Sequence, residues 1–433
     1  MMTVTITPSS LCGEMDVPGS KSATIRAVLL STLSKGRSVI HNPLSSGDGV
    51  SAKEAARALG ATIVDEGATW IVDGVGENLT VPAKELDLGN SGTATSFFTS
   101  IAALAQKSIT LTGDAQIQSR PFNTLFDALK DLGVEVLVHN ANGVSPPVTV
   151  TGPLKGGAVT LEGFNSQFIS SLLLVAPFAE QPVTITVQNG LEKPYIQLTL
   201  DWMKRYGVEV ANPSDYEYFE VANTKHYRSQ EVTVPGDWSA VAFPLVAAAI
   251  TNSTLTITGL DFSDSQGDKA VVDLLIQMGA DIRRNEEEGS LTIIGGSELT
   301  ALGEIDLGAI PDALPALAVA ATQAHGKTTF TNIAHVRVKE SDRVLEMADR
   351  LERLGCKTTM TADTFTIEGP AMIHGGVVTS AGDHRIAMAM VALACAAQEP
   401  ITITDCECID VSFPGFFERF EHVGVEIKKE AAH

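Results

Sequence analysis

The sequence predicts an α/β fold of two similar domains, each built from three copies of a β-α-β-α-β-β unit of roughly 73 residues. Two sequence patterns that recur along the chain and the amount of apolar sequence support this prediction. Apolar residues make up 44% of the 433 residues, which is enough to form two sizeable hydrophobic cores. Six units of this kind would form two groups of three.

The first recurring pattern is a helical segment that ends at a glycine and is followed by an alternating strand. Glycine takes up the left-handed conformation that ends a helix at little cost, so each glycine marks a helix end. The intervals between successive glycines run from 69 to 76 residues. The six glycines are Gly60, Gly133, Gly207, Gly279, Gly355 and Gly424.

The second recurring pattern alternates with the first along the chain. A turn rich in Gly, Ser or Asp enters a helix of small apolar residues, and a β-branched strand follows that helix. The six turns begin near Gly19, Gly89, Asn165, Gly236, Ile310 and Gly382. The strands expected after five of these helices cover residues 108–111, 183–187, 254–257, 328–331 and 401–404.

The domain boundaries are expected near residues 19 and 236. A short strand over residues 3–7 precedes the first unit, and Pro235-Gly236 opens the fourth. We therefore predict one discontinuous domain, residues 1–19 with 236–433, and a second domain over residues 20–235. The N-terminal strand is expected to join the C-terminal half. The active site is expected in the cleft between the domains, where ligands usually bind.

Charge and composition exclude several classes of function. The formal charge is −22, from 30 basic and 52 acidic residues, and a nucleic-acid binder would need a large basic surface instead. A few cations in one pocket can still bind a small anion. Cys406 and Cys408 lack two further ligands nearby, so no metal site is predicted.

The sequence predicts neither a signal peptide nor a membrane-spanning helix. The first 16 residues lack the basic and apolar regions of a signal peptide, and the five scattered cysteines suit a reducing compartment. The apolar stretches at 171–179 and 241–250 are shorter than the roughly 18 residues of a spanning helix. We expect a cytoplasmic monomer that associates with neither membrane nor nucleic acid.

The turns that enter the helices concentrate groups suited to anions. Lys21 and Ser22 follow a Gly-Ser pair, where backbone N–H groups, a hydroxyl and an ammonium can meet one anion. Gly92 closes a turn in which the backbone can come close to a ligand. Arg120 lies in a loop before a helix. Each of these residues alone is equally typical of an exposed surface.

The later units carry further candidates. Asn165-Ser166-Gln167 and Asp312 stand at two helix entries, and Arg385 at another. Lys339 and Arg343 are four residues apart, so they share one face if their segment is helical, with Glu340 between them. The alternative for that segment is an exposed helix with surface ion pairs.

Taken together and in order, these motifs closely resemble the enolpyruvyl transferases, above all the members that act on shikimate 3-phosphate. The resemblance covers essentially the whole chain. Its motifs are GSKS at 19–22, LGNSGTA at 88–94, SRP at 119–121, NSQF at 165–168, KPY at 193–195, PGD at 235–237, IPDA at 310–313, RVKESDR at 337–343, DHRIAM at 383–388 and SFP at 412–414.

The resemblance implies that phosphoenolpyruvate and shikimate 3-phosphate are the substrates, without a metal or organic cofactor. The shikimate 5-hydroxyl attacks C2, C3 takes a proton, and the resulting ketal loses phosphate. It assigns phosphoenolpyruvate binding to Lys21, Gly92, Arg120, Gln167, Arg343 and Arg385. It assigns shikimate 3-phosphate binding to Ser22, Arg26, Asn165, Ser166, Gln167, Asp312 and Lys339. Asp312 accepts the hydroxyl proton, and Glu340 with Lys21 protonates C3.

Several positions depart from the commonest pattern of that family. Val411 stands where many members have Lys, and Ser96 and His335 replace Arg and Asn. The resemblance places the phosphate of shikimate 3-phosphate at Asn165-Ser166-Gln167 and the residue before KPY, and here Asn165 and Glu192 stand where many members have Ser. A carboxylate 4 Å from a phosphate charge costs about 4 kcal/mol at an effective dielectric constant of about 20.

Three explanations of Glu192 remain open at this point. Its side chain points away, Lys193 and Lys339 compensate for its charge, or the acceptor is not shikimate 3-phosphate. The alternative functions are therefore a related transferase with another cyclic alcohol acceptor and a non-catalytic protein that binds phosphate ligands.

Overall fold

The structure, a computed structural model, describes residues 2–431 of the chain. It contains two compact units. Unit 1 comprises residues 1–18 with 236–433, and unit 2 comprises residues 19–235. The chain therefore begins in unit 1, forms all of unit 2 and then returns to complete unit 1.

Twelve α-helices occur over residues 2–431. They are α1 (Lys21–Leu33), α2 (Gly47–Ala58), α3 (Gly92–Ala102), α4 (Asn123–Asp131), α5 (Ser166–Val175), α6 (Lys193–Arg205), α7 (Trp238–Ala249), α8 (Ala270–Gln277), α9 (Leu314–Thr322), α10 (Arg343–Arg353), α11 (His384–Cys395) and α12 (Phe416–His422).

The same residues form the following β-strands. They are β1 (Met2–Ile6), β2 (Cys12–Asp16), β3 (Ser34–His41), β4 (Thr62–Glu66), β5 (Thr69–Val75), β6 (Leu86–Asp87), β7 (Ile109–Thr112), β8 (Glu135–Val138), β9 (Val148–Thr151), β10 (Gly157–Glu162), β11 (Val183–Gln188), β12 (Ala211–Ser214), β13 (Tyr218–Val221), β14 (Tyr227–Arg228), β15 (Glu231–Thr233), β16 (Thr254–Thr258), β17 (Asp281–Asn285), β18 (Ser290–Ile294), β19 (Leu299–Thr300), β20 (Gly303–Asp306), β21 (Ala324–Thr331), β22 (Lys357–Met360), β23 (Phe365–Gly369), β24 (Gly376–Thr379), β25 (Ile401–Thr404) and β26 (Ile427–Ala431).

Each unit holds three sheets of one design, in which a parallel pair of strands continues into two antiparallel strands. In unit 2 the strand orders are β14-β3-β5-β4, β6-β7-β9-β8 and β10-β11-β13-β12. In unit 1 they are β2-β16-β18-β17, β19-β21-β23-β22 and β24-β25-β1-β26. The predicted β-α-β-α-β-β unit is confirmed, since the sheets β6-β7-β9-β8, β10-β11-β13-β12 and β19-β21-β23-β22 take their parallel strands around one helix and their antiparallel pair after a second helix. The other three sheets have the same arrangement of strands but take part of it from elsewhere in the chain.

Three sheets include strands from a distant part of the chain. The first sheet of unit 2 takes β14 and β15 from the end of that unit. In unit 1, β2 pairs with β16, and β1 inserts between β25 and β26. Residues 2–16 therefore supply strands to two sheets of unit 1.

The six glycines of the first sequence pattern all end helices. Each lies two residues beyond its helix, in α2, α4, α6, α8, α10 or α12, and has a positive φ between 83° and 107°. This backbone conformation strains any other residue, so glycine is the residue that fits. The predicted helix ends are confirmed.

The helices of the second pattern form the centre of each unit. The central helices are α1, α3 and α5 in unit 2 and α7, α9 and α11 in unit 1, and their residues are almost entirely buried. Five of the six begin at an N-cap side chain that accepts a backbone N–H. No helix within residues 2–431 combines the length and apolar character needed to cross a membrane.

Candidate functional site

In unit 2, three of the predicted phosphoenolpyruvate ligands lie together at the first turn of α3. A Cβ atom added to Gly92 would lie 2.9 Å from Arg120 Nη1 and 3.5 Å from Gln167 Oε1. With any other residue here, the guanidinium of Arg120 would have to move from its present position. Arg120 Nη2 also donates to Asn90 Oδ1 at 2.8 Å. The structure therefore brings together Gly92, Arg120 and Gln167, and it adds Asn90 as the residue that orients the arginine.

Lys21 lies at the first turn of α1 and is paired with a carboxylate. Its Nζ is 3.3 Å from Asp48 Oδ2, and both side chains are largely buried. Asp48 is in the first turn of α2, where the helix dipole favours a negative charge. The sequence prediction did not include Asp48, although an acidic residue at a helix start is a recognisable signal.

Arg26 links three helices of unit 2. Its guanidinium donates to Thr199 Oγ1 at 2.9 Å, to Ser22 O at 2.8 Å and to Tyr195 O at 3.2 Å. It also lies 5.1 Å from the centroid of the Phe97 ring and is 2% exposed. Arg26 therefore holds α1 against α6, a packing role that its sequence context did not indicate.

Glu192 contacts the predicted acceptor-binding residue Ser166. Its Oε2 accepts from the Ser166 backbone N at 3.0 Å and from Ser166 Oγ at 2.6 Å. Glu192 is 3% exposed, so the explanation that its side chain points away is wrong. The physical reason is that a residue with left-handed φ of 54° at the start of α6 turns its carboxylate toward the N-terminus of α5.

The neighbouring side chains have separate partners. Asn165 is the N-cap of α5, and its Oδ1 accepts from the Gln167 backbone N at 3.0 Å. Lys193 Nζ donates to Asp215 Oδ2 at 2.6 Å. Lys193 is thus paired with Asp215 at the surface of unit 2 and does not pair with Glu192. This corrects the explanation in which Lys193 helps to compensate for the charge of Glu192.

In unit 1, the predicted proton acceptor lies between two predicted phosphoenolpyruvate ligands. Arg343 Nη1 donates to Asp312 Oδ1 at 2.7 Å, and Arg385 Nη2 is 3.0 Å from Asp312 Oδ2. Each carboxylate oxygen therefore has its own guanidinium. The side chain of Asp312 keeps 22% of its surface exposed, whereas that of Arg343 keeps 1%.

Arg343 is the centre of a buried ion network. Besides Asp312, it donates to Glu340 and, through Nε at 2.8 Å, to Asp383 Oδ2. Three carboxylates thus surround one guanidinium, because a charge removed from water requires opposite charges nearby. The sequence motifs indicated a cation available to the substrate, and the structure shows a cation already neutralised.

The same network shifts the pKa values of its members. Burial would raise the pKa of Asp312, but the guanidinium groups of Arg385 and Arg343 lower it far below its usual range. Burial would also raise the pKa of Asp383, and Arg343 lowers it. Both carboxyl groups are therefore ionised at neutral pH.

The segment that carries Lys339 and Glu340 is not one helix. A 3₁₀ turn covers Ala334–Val338, Lys339 follows it, and α10 begins only at Arg343 after the N-cap Asp342. The condition under which Lys339 and Arg343 would share a helix face is therefore not met. The alternative of an exposed helix is wrong, because Arg343 is buried.

Asp383 is the important residue that the sequence analysis did not assign. It is fully buried, caps α11 through the Arg385 backbone N at 2.9 Å, and also accepts from Ser341 Oγ at 3.0 Å. It thereby joins α11 to the 337–343 segment. Its position directly before His384-Arg385 was visible, but its contact with Arg343 depends on the tertiary fold.

The remaining departures from the family pattern have structural settings of their own. Ser96 is buried in α3, and its hydroxyl donates to Gly92 O at 2.9 Å. His335 is buried in the 3₁₀ turn before Lys339. Val411 ends a second 3₁₀ turn, Cys406–Val411, and is half-buried. Within residues 2–431, no three His, Cys, Asp or Glu side chains form a group that could hold a metal ion.

Comparison with known proteins gives consistent matches over the whole chain. Residues 6–420 match the family of EPSP synthase (3-phosphoshikimate 1-carboxyvinyltransferase). A 3-phosphoshikimate 1-carboxyvinyltransferase of Methanococcoides burtonii is 39% identical over 429 residues, which is 98% of this chain and 99% of the relative. One of Acetivibrio thermocellus is 38% identical over 98% of this chain and 99% of its own. The solved EPSP synthase of Acinetobacter baumannii is 28% identical, with a TM-score of 0.84 and complete coverage of both chains.

Proposed function

Because the chain belongs to the EPSP synthase (3-phosphoshikimate 1-carboxyvinyltransferase) family, we propose how its own side chains carry out the reaction of that family. The reaction transfers the enolpyruvyl group of phosphoenolpyruvate to the 5-hydroxyl of shikimate 3-phosphate and releases phosphate. It needs a base for the hydroxyl, an acid for C3 and cations for the anionic substrate.

The observation that carries the proposal is Asp312 held between Arg343 and Arg385. In this arrangement the carboxylate is a weak base, because two guanidinium groups stabilise its charged form. A base works best when its pKa is close to the working pH. Asp312 therefore gains basicity only when other anions share the two guanidinium groups.

Phosphoenolpyruvate supplies those anions through its phosphate and carboxylate. When Arg343 and Arg385 turn N–H groups toward the substrate, they donate less to Asp312. The pKa of Asp312 then rises, and the carboxylate accepts the proton of the 5-hydroxyl as that oxygen attacks C2. Binding of phosphoenolpyruvate thus activates the base that deprotonates the hydroxyl of shikimate 3-phosphate.

Protonation of C3 falls to Glu340 and Lys21, and loss of phosphate from C2 of the ketal is accompanied by loss of a C3 proton, which restores the double bond of the enolpyruvyl group. Glu340 contacts Arg343, so its position is tied to the same guanidinium. Lys21 is paired with Asp48, which keeps the ammonium in place at the start of α1. In unit 2, Gly92, Arg120 and Gln167 form the remaining contacts to phosphoenolpyruvate, because they already lie together at the first turn of α3.

Shikimate 3-phosphate takes its contacts from the second set of residues. Ser166 offers a backbone N–H and a hydroxyl, and Asn165 orders the turn that presents them. The other proposed contacts are Ser22, Arg26, Gln167, Asp312 and Lys339. That the two substrates lie in a cleft between the domains stays a prediction, as do a cytoplasmic location and a monomeric state.

Phosphate release by the purified protein tests this function. Phosphate should appear when phosphoenolpyruvate and shikimate 3-phosphate are both present, and an equal amount of enolpyruvyl product should form. Controls omit one substrate at a time or replace shikimate 3-phosphate with shikimate. Absence of phosphate release with both substrates, or release that does not need the acceptor, would contradict the proposal.

A further inference from the structure

Glu192 places a negative charge on the two donors that the acceptor phosphate would use. Its Oε2 accepts from both the backbone N and the Oγ of Ser166, at 3.0 and 2.6 Å. A phosphate oxygen at the same donors would have to take the place of this carboxylate oxygen. The side chain of Glu192 and the phosphate are therefore alternatives at Ser166.

The contact depends on a specific backbone arrangement. Glu192 has φ 54° and ψ 33°, a left-handed conformation that is uncommon for a residue with a side chain. The turn before it follows the end of β11, and Pro194 stands in the first turn of α6. The backbone of Glu192 is thus held between a strand and a helix, so displacement of its carboxylate from Ser166 requires rotation about the side-chain χ angles.

The cation next to it in sequence does not remove the conflict. Lys193 Nζ is 2.6 Å from Asp215 Oδ2, on the exposed side of α6. Close approach of a phosphate would therefore meet the carboxylate of Glu192 without help from Lys193. Like charges at hydrogen-bond distance disfavour each other strongly at a buried position.

We propose that Glu192 determines the affinity for the acceptor by occupying Ser166 until the acceptor phosphate displaces it. The inference rests on the proposed function, since it takes shikimate 3-phosphate as the acceptor. Removal of the carboxylate then leaves the Ser166 donors available and strengthens binding of the phosphorylated acceptor. A ligand without the phosphate gains nothing from the same change.

Calorimetric titration of shikimate 3-phosphate and of shikimate tests the proposal in three variants. Glu192→Ser removes the carboxylate, and Glu192→Gln keeps its shape without the charge. Glu162→Ser is the matched control, because Glu162 is an exposed carboxylate on β10 that accepts from Asn189 at 3.0 Å. Thermal unfolding shows that each variant is folded.

We expect Glu192→Ser to lower the Kd of shikimate 3-phosphate about 10- to 150-fold, which is the value of one hydrogen bond to a charged group. Glu192→Gln should give a smaller gain, and Glu162→Ser should stay within about twofold of the parent. The Kd of shikimate should not change in any variant.

The possible failures are distinct. In the first case, the parent turns over shikimate 3-phosphate, but neither Glu192→Ser nor Glu192→Gln binds it more tightly than the parent does. The inference is then wrong, and the proposed function stands. If the two variants bind it less tightly, Glu192 supports the acceptor site, which also overturns the inference. If the parent neither binds shikimate 3-phosphate nor releases phosphate, the proposed function itself fails.

Discussion

Asp383→Asn should destabilise unit 1 by several kcal/mol, although it changes one atom of a single side chain. The carboxylate of Asp383 accepts from Arg343 Nε at 2.8 Å, from Ser341 Oγ at 3.0 Å and from the Arg385 backbone N at 2.9 Å. Both oxygens are used, so an amide NH₂ must face a donor on one side. Removing one partner of a buried ion pair costs about 3–5 kcal/mol.

Asp342→Asn is a matched control for this change. Asp342 is also an N-cap aspartate paired with an arginine, Arg337, at 2.8 Å, but 31% of its side chain is exposed. Asparagine caps a helix about as well as aspartate, and exposed ion pairs contribute about 0–1 kcal/mol. The difference between the two variants should therefore be about 2–5 kcal/mol.

Urea unfolding followed by the fluorescence of Trp238 measures this difference in unit 1. The chain has three tryptophans, and the other two, Trp70 and Trp202, lie in unit 2 and can be replaced by Phe in every variant. If Asp383→Asn loses no more stability than Asp342→Asn, burial of the ion network does not stabilise unit 1 and the reasoning is refuted.

The pH dependence of the same measurement gives an independent check. The pKa of Asp383 is lower in the folded unit than its ordinary value of about 4. A lowered pKa means that the stabilisation is complete above the ordinary pKa and is lost as the pH falls toward the folded value. The stability difference between parent and Asp383→Asn should therefore be constant near neutral pH and shrink below about pH 4.

Three further variants test the proposed roles. Asp312→Asn should lower kcat about 10²- to 10⁴-fold through loss of the base. The control Asp306→Asn should leave kcat unchanged, because the side chain of Asp306 accepts from Gly308 N and Asn332 and has no proposed role in the reaction. If Asp312→Asn lowers kcat by less than about tenfold, another group is the base. Arg385→Ala should raise the KM for phosphoenolpyruvate strongly, whereas Arg353→Ala, at an exposed arginine, should not. Equal KM values would remove Arg385 from the site. Glyphosate is an anionic mimic of phosphoenolpyruvate, and Val411 offers it no ammonium where many family members have a lysine. Val411→Lys should therefore tighten glyphosate inhibition in competition with phosphoenolpyruvate about 10- to 150-fold, and unchanged inhibition would contradict a charge-assisted contact at this position.

Much of the fold could be predicted because its signals are local. A glycine such as Gly60 or Gly355 ends a helix through its own backbone conformation, and this need repeats six times along the chain. The N-caps Ser20 and Ser91 likewise act on a backbone N–H three residues further along the chain. Signals of this kind survive in the sequence without knowledge of the tertiary structure.

The site was predictable as a set of residues but not as a set of contacts. Arg343 meets Asp312 and Asp383, which are 31 and 40 residues away in the chain. Lys339 and Arg343 would share a face only in one continuous helix, but the helix that contains Arg343 begins there, after the N-cap Asp342. The direction of Glu192 depends on a left-handed backbone that its sequence does not reveal, because glutamate rarely adopts it.

The position of the N-terminal strand β1 between β25 and β26 in unit 1 has a consequence for how the protein is made. All strands of unit 2 lie between residues 34 and 233, so this unit has its complete set soon after residue 235 leaves the ribosome. Unit 1 must wait, because β1 pairs with β25 and β26. At about 5–20 residues per second, the intervening synthesis takes on the order of 10–40 s. During that time the alternating apolar strand β1 has none of its partners, and it is the segment that a nascent-chain chaperone would have to protect.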